Sequence, residues 1–282
     1  MEKPWLVVLP TYEEVENLEE CCRRILALDL PLEILVVDDD SPDGTALLAS
    51  SLSEKDPRIH VLVRREERGR GRAGAAGFAW ALREGYAGAV EMDADLSHPP
   101  EDLPRLLAAA ARGADLVLGS RSVPGGADLG RSLRRRLVTR AANAYVRRVF
   151  GIEVRDCNSG YRAWTRRALL EVDAPGARRL GPAIVQELLW RAKRAGLAVR
   201  EVPIRFVERR RGRSTLRFRT LLAGLLEVPR LRFLDRWRPG TRPSWSEGDP
   251  LPGGRVIEIR GGSRRNDRRG ASPRRRGGRR PA

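Results

Sequence analysis

The sequence predicts an α/β fold with a mostly parallel central sheet flanked by helices. Two observations predict it. Short apolar runs alternate with helix-like segments along the first part of the chain, and polar clusters stand where those runs end. Ligands of such sheets bind outside the carboxyl ends of the strands, so the clusters mark one crevice.

Trp5 to Leu9 reads as the first strand, apolar at consecutive positions as a strand buried on both faces must be. Val15, Leu18, Cys22, Ile25 and Leu26 then recur at helical spacing. Glu33 to Val37 and Ile59 to Val63 are the second and third strands, and Ala76, Trp80 and Leu82 carry a weaker helical pattern. Gly88 to Met92 is the fourth strand. Pro99-Pro100-Glu101-Asp102 opens a helix through Leu103, Leu106 and Leu107, and Asp115 to Leu118 is the fifth strand. Pro10-Thr11-Tyr12, Asp38-Asp39 and Asp93-Ala94-Asp95 stand at the strand ends.

The 282 residues carry a formal net charge of +17, yet ordinary apolar patterning stops near residue 238. From Pro239 to Ala282 the chain is rich in Gly, Pro and Arg, too polar and one-signed to bury a core, and it is expected to be a disordered basic tail. Val256-Ile257-Glu258-Ile259 is strand-like and stays unassigned. Because the tail holds much of the excess charge, a folded nucleic-acid-binding domain is not implied; the tail reads as merely solvated or as attracted to polyanions, an anionic membrane surface ahead of nucleic acid.

Cys21, Cys22 and Cys157 form no C-x-x-C, and His60 and His98 are the only histidines, which argues against zinc and against a disulfide framework. The start lacks the long apolar region of a signal peptide, and no stretch reaches the length of a membrane span. The expectation is a cytoplasmic protein, peripheral on the cytoplasmic face of the membrane.

Asp93 and Asp95 carry the chemistry. At alternate positions of an extended segment both carboxylates can face one hard divalent cation, leaving its other positions for phosphate oxygens. D-x-D also occurs by chance at strand ends, so its neighbours decide. Gly69-Arg70-Gly71-Arg72-Ala73-Gly74 matches G-x-G-x-x-G letter for letter, but it follows the third strand with Arg64 to Arg68 intervening. It reads as a glycine-rich, arginine-bearing loop beside phosphates, or a plain connection.

In order, the chain presents Leu9-Pro10-Thr11-Tyr12-Glu13-Glu14, Val36-Val37-Asp38-Asp39-Asp40-Ser41-Pro42-Asp43-Gly44-Thr45 and Met92 to Pro100. Gly119-Ser120-Arg121, Arg135 to Asn143, Ser159-Gly160-Tyr161-Arg162, Glu201-Val202-Pro203-Ile204, Arg209 and Gly212-Arg213-Ser214 follow. Over residues 4 to 216 this series resembles the inverting glycosyltransferases of family 2, and within them the dolichol- or polyprenol-phosphate mannose synthases.

The resemblance implies a GT-A glycosyltransferase domain over residues 1–215. It implies that Pro10, Tyr12, Glu14, Val37 and Asp39 hold the donor nucleoside. Asp93, Ala94 and Asp95 would engage the diphosphate and Mg²⁺ or Mn²⁺, with Ser97 where a metal-ligating Gln often stands. Arg121, Arg135 and Arg209 would grip phosphates of donor and acceptor, Arg121 and Arg209 on the donor side as well. With Asp95 these arginines form the implied catalytic set.

The implied substrates are GDP-mannose and polyprenyl or dolichyl phosphate. The alternatives are a UDP-glucose donor, or a non-catalytic sugar-nucleotide or RNA-binding protein. Residues 216–238 begin with Leu216 to Leu226, bulky apolar residues mixed with arginines, expected as an interfacial helix or as a helix packed on the domain core. A membrane-embedded protein that recruits the chain is a further implied partner. Thr215 stands where a Lys is common, Glu13 replaces the usual Asn, and Val185 and Gln186 stand near a usual polar position beside Glu187. Asp43 serves equally as a helix cap or a ligand contact, while His98 and Asp156 read first as loop and turn residues.

Overall fold

The computed structural model describes residues 3–177, 183–208, 218–235, 237–240, 243–246, 248–252 and 256–261. Strand β1 (Trp5–Thr11) is followed by α1 (Val15–Leu26), β2 (Leu32–Asp38), α2 (Thr45–Lys55), β3 (Ile59–Arg64), α3 (Arg70–Arg83) and β4 (Gly88–Glu91). A single 3₁₀ turn, Pro100–Asp102, leads into α4 (Leu103–Ala111), β5 (Leu116–Ser120), β6 (Ala127–Leu129) and the long α5 (Leu133–Phe150). The chain continues through β7 (Arg162–Thr165), α6 (Arg166–Glu171), α7 (Ala183–Arg194), β8 (Val199–Pro203), β9 (Arg205–Val207), α8 (Phe218–Leu234) and β10 (Val256–Ile259).

Eight strands form one sheet in the order β10-β3-β2-β1-β4-β7-β5-β8, and β6 pairs with β9 in a small second sheet. β1 pairs parallel with β2 and β4, β2 with β3, and β5 with β8. β7 runs antiparallel between β4 and β5, and β10 runs antiparallel beside β3. All five strands expected from the apolar runs are present, with ends shifted by at most two residues.

The consecutive apolar residues of β1 divide between two cores. Leu6 and Val8 face the side covered by α3 and α7, whereas Val7 and Leu9 face the side of Leu18, Ile25 and Leu106. This is the period-2 alternation of a strand covered on both faces. Gly77 of α3 lies against the Val8 side chain, where a Cβ would collide, so the helix packs closely on the sheet.

α8 packs against α5 and α7 and buries Val228 and Leu231 along one face, while Leu226, Phe233 and Leu234 remain exposed. The expectation for the span from Pro239 is corrected in part, because it is not a tail throughout. Trp245 and Leu251 are buried, and β10 extends the sheet at β3. Arg83 pairs with Glu258 at 2.8 Å, Arg260 with Glu84 at 2.7 Å, and the Gly261 N–H donates to His60 Nδ1 at 3.1 Å. The polar composition concealed these anchors because each adds to an edge or hollow that the domain already supplies. Residues 262–282 lie outside the described residues.

Candidate active site

The polar clusters at the ends of β1, β2 and β4 meet as the sheet topology requires, because these strands are adjacent and parallel. At the end of β2, Asp38 accepts from Thr11 Oγ1 at 3.0 Å and from Ser41 Oγ at 2.6 Å, which ties the first two clusters together. Asp43 accepts from Thr45 N at 3.0 Å and from Val15 N at 3.1 Å, so it caps the α1 entrance and the turn into α2. The residues expected to hold a nucleoside divide in two. Tyr12 is 42% exposed at the mouth and Pro10 is half-buried, whereas Val37 is buried. Glu14 accepts from Asn17 Nδ2 at 2.9 Å.

Asp39 is 4% exposed, with both oxygens engaged: Oδ1 by Arg64 Nη1 at 2.6 Å, Oδ2 by the Gly69 N–H at 2.6 Å. Burial raises its pKa, against the opposing pull of the Gly69 N–H and the Arg64 charge. Asp39 therefore fixes the glycine-rich segment, which forms the entry and first turns of α3. Gly69 sits at φ +129°, a conformation closed to most L-residues.

The Asp93–Asp95 couplet lies just beyond β4, where Ala94 and Asp95 enter a turn. Leu96 takes φ +61°, a left-handed value costly for a branched side chain, and reverses the chain there. Asp95 is 4% exposed and accepts from the Ser97 N–H at 3.0 Å. Ala94 and Ser97 are buried. His98 is buried against Tyr161 and Phe206, ring centroids 5.1 and 5.6 Å away, and its Nδ1 accepts from the Asp93 N–H at 3.3 Å. It is the loop's structural peg, with burial lowering its pKa against the pull of Asp93.

Sequence reasoning passed over Arg70. Its Nη2 stands 2.9 Å from Asp93 Oδ1. Burial works against its charge, but Asp93, Glu91 and Asp95 together hold its pKa above the ordinary value. Glu91, buried at the end of β4, is pushed up by burial and pulled back by Arg70 and Arg162. Arg162 donates to the carbonyls of Ser159, Val185 and Cys157 at 2.8, 2.5 and 2.7 Å, and burial lowers its pKa to about 10. Gln186 donates to Asn158 at 2.9 Å, and Glu187 pairs with Arg191 at 2.7 Å, so this neighbourhood is a structural network. The G-x-G spacing was the available signal for Arg70.

Arg121, beyond β5, is clamped by Asp156. Its Nε and Nη2 each donate at 2.7 Å and its backbone N–H at 3.0 Å, and Asn143 Nδ2 adds a bond at 3.1 Å. Asp156 is thus the partner of Arg121 as well as a turn residue, its carbonyl accepting from the Ser159 N–H at 3.2 Å. Arg135, on α5, pairs with Glu208. Arg209, Arg213, Thr215 and Arg217 lie outside the described residues. Behind Arg121 a cleft of about 700 Å³ runs along α5, and Arg136, Arg140, Arg147 and Arg155 line it. These four form no ion pair among the described residues, so the cleft is strongly positive.

Among the described residues no cluster of three or more His, Cys, Asp or Glu could hold a metal by itself. Two carboxylates suit a hard cation that takes its other oxygens from phosphates and water, the habit of Mg²⁺ beside nucleotides. The donor set therefore fits a divalent ion shared with a diphosphate.

Residues 6–172 match the model of the glycosyl transferase family 2. The chain belongs to this family. Among curated relatives, this glycosyltransferase is 46% identical over 212 residues to the polyprenol monophosphomannose synthase of Mycolicibacterium smegmatis, covering 75% of the chain and 80% of that protein. It is 40% identical over 232 residues to the undecaprenyl-phosphate mannosyltransferase of Micrococcus luteus, covering 82% and 95%. Among solved structures, glucosyl-3-phosphoglycerate synthase from Mycobacterium tuberculosis superposes with a TM-score of 0.60 over 86% of the chain and 90% of that chain. Its 22% identity shows the shared fold, a GT-A glycosyltransferase fold, and nothing finer.

Proposed function

We propose that this glycosyltransferase moves a mannosyl residue from GDP-mannose to a polyprenyl phosphate with inversion, on the cytoplasmic face of a membrane. The observation that carries the reading is the adjacency of two unlike sites, an acidic couplet at the nucleotide crevice and an arginine-lined cleft reached past Arg121. The names of the relatives agree with it.

In this reading Asp93 and Asp95, with Ser97 beside them, hold Mg²⁺ or Mn²⁺ against the donor diphosphate. A bound divalent ion supplies Lewis acidity, neutralising charge on the departing nucleoside diphosphate. The chain's own residues do the rest. The Asp38–Thr11–Ser41 bonds shape the nucleoside end, and Asp39 holds the α3 entrance beside it. The α5 arginines receive the acceptor phosphate, because guanidinium groups grip phosphate oxygens bidentately and offset their repulsion from the donor. A phosphate monoester is already anionic near neutral pH, so the attack needs no side-chain base. One in-line displacement inverts the anomeric centre.

No described helix is long and apolar enough to cross a membrane. α5 instead exposes Leu133, Leu137 and Val138 among arginines, and α8 beside it exposes Leu226, Phe233 and Leu234. That combination suits the headgroup boundary of an anionic bilayer, where the lipid tail of the acceptor stays in the membrane. A membrane-embedded recruiting protein would serve the same end. The test is a donor panel with purified protein, polyprenyl phosphate and Mn²⁺, scored for glycolipid product. GDP-mannose should turn over fastest; turnover of UDP-glucose with none of GDP-mannose would replace the named donor.

A further inference from the structure

We infer that Arg70 makes metal binding at Asp93 and Asp95 depend on the donor's diphosphate, standing as a resident cation where a metal alone would bind. The inference rests on the reading above that a divalent ion sits at this couplet. Arg70 is the first residue of α3, and its guanidinium is 2.9 Å from Asp93 Oδ1 with Glu91 and Asp95 also facing it. The fold builds this placement from two sides. Asp39 holds the Gly69 N–H at 2.6 Å, which fixes the residue before it. Across the site, a Cβ at Gly160 would overlap the Arg70 guanidinium, so the Ser159-Gly160 turn is bare where the arginine passes.

The contact with Asp93 is close but not aligned as a hydrogen bond, and Arg70 Nε and Nη2 are buried with no hydrogen-bond partner among the described residues. The guanidinium is thus held beside Asp93 by charge and by the walls around it, without an aligned bond that would satisfy it. A metal and a guanidinium sharing Asp93 repel each other, so a metal alone binds weakly. A diphosphate brings negative charge to both, and each cation then favours the other's ligand. Because such linkage is reciprocal, the metal must tighten the diphosphate by the same factor. Arg70 is a positioning residue in this account, acting on the metal through Asp93.

The test titrates the full chain with Mn²⁺, following free Mn²⁺ by electron paramagnetic resonance with and without GDP, in wild type, Arg70→Met and Arg70→Lys. In Arg70→Met, Mn²⁺ alone should bind roughly tenfold more tightly, the effect of one screened neighbouring charge. GDP alone should bind more weakly, and the Mn²⁺–GDP synergy should shrink. Arg70→Lys should restore most of the synergy. A purely structural role would weaken both ligands together. Unchanged or weaker Mn²⁺ binding in Arg70→Met overturns the inference while leaving the metal reading intact, whereas wild type that binds no Mn²⁺ even with GDP overturns both.

Discussion

Replacing Asp156 by alanine should destabilise this glycosyltransferase by about 3–5 kcal/mol, the usual consequence of removing one partner of a buried ion pair. Asp156 is fully buried and receives four hydrogen bonds, three from Arg121 and one from Asn143. The Arg121 side chain is 12% exposed, so without Asp156 its charge stays out of water with no counter-charge. At roughly 2–4 °C per kcal/mol for a chain of this size, the midpoint of thermal unfolding should fall by roughly 6–20 °C. Urea unfolding followed by circular dichroism reads the same quantity. The paired change Arg121→Met with Asp156→Leu should recover most of the loss, because no charge is then stranded. An Asp156→Ala protein within about 1 kcal/mol of wild type would refute the reasoning, since such a site cannot be a desolvated clamp.

The same carboxylate predicts a pH dependence. Burial pushes the Asp156 pKa up, but the bonds and charge of Arg121 outweigh it and hold it below the ordinary 3.8. Its stabilisation is therefore complete above about pH 4 and lost as pH falls through the lower folded value; urea midpoints between pH 5 and 2 should decline less steeply in Asp156→Asn. Trp245→Ala should cost about 3–5 kcal/mol in urea unfolding, because the indole is 9% exposed in the core and donates to Pro250 O at 3.1 Å. No loss there would mean that the 243–261 region does not dock. Leu133→Asp with Leu137→Asp should leave stability within about 1 kcal/mol, since both side chains are exposed, while vesicle co-sedimentation falls several-fold. Undiminished sedimentation would remove α5 from the membrane contact.

Much of the fold was legible because buried parallel strands carry consecutive apolar residues, and β1 to β5 do. β7 was not: Arg162-Ala163-Trp164-Thr165 is short and starts with an arginine whose charge is absorbed by three backbone carbonyls, a contact no local pattern reports. β10 was strand-like but embedded in a polar region, and its register depends on the exposed edge of β3. At the site, spacing singled out Asp93 and Asp95, yet the left-handed Leu96 and the approach of Arg70 required tertiary structure. Arg121 was expected among the arginines that grip phosphate. Its partner Asp156 lies 35 residues on, beyond the reach of any motif.

The proposed reaction is metal-assisted mannosyl transfer at the Asp93–Asp95 couplet. Its most direct test compares wild type with Asp95→Asn for formation of polyprenyl-phosphate mannose from GDP-mannose and Mn²⁺, with unfolding midpoints measured in parallel. Turnover should fall by at least about a hundredfold, as expected when a ligand of the charge-neutralising metal is removed, in a protein that remains folded. Turnover by Asp95→Asn at the wild-type rate, or wild-type turnover undiminished by EDTA, would contradict it.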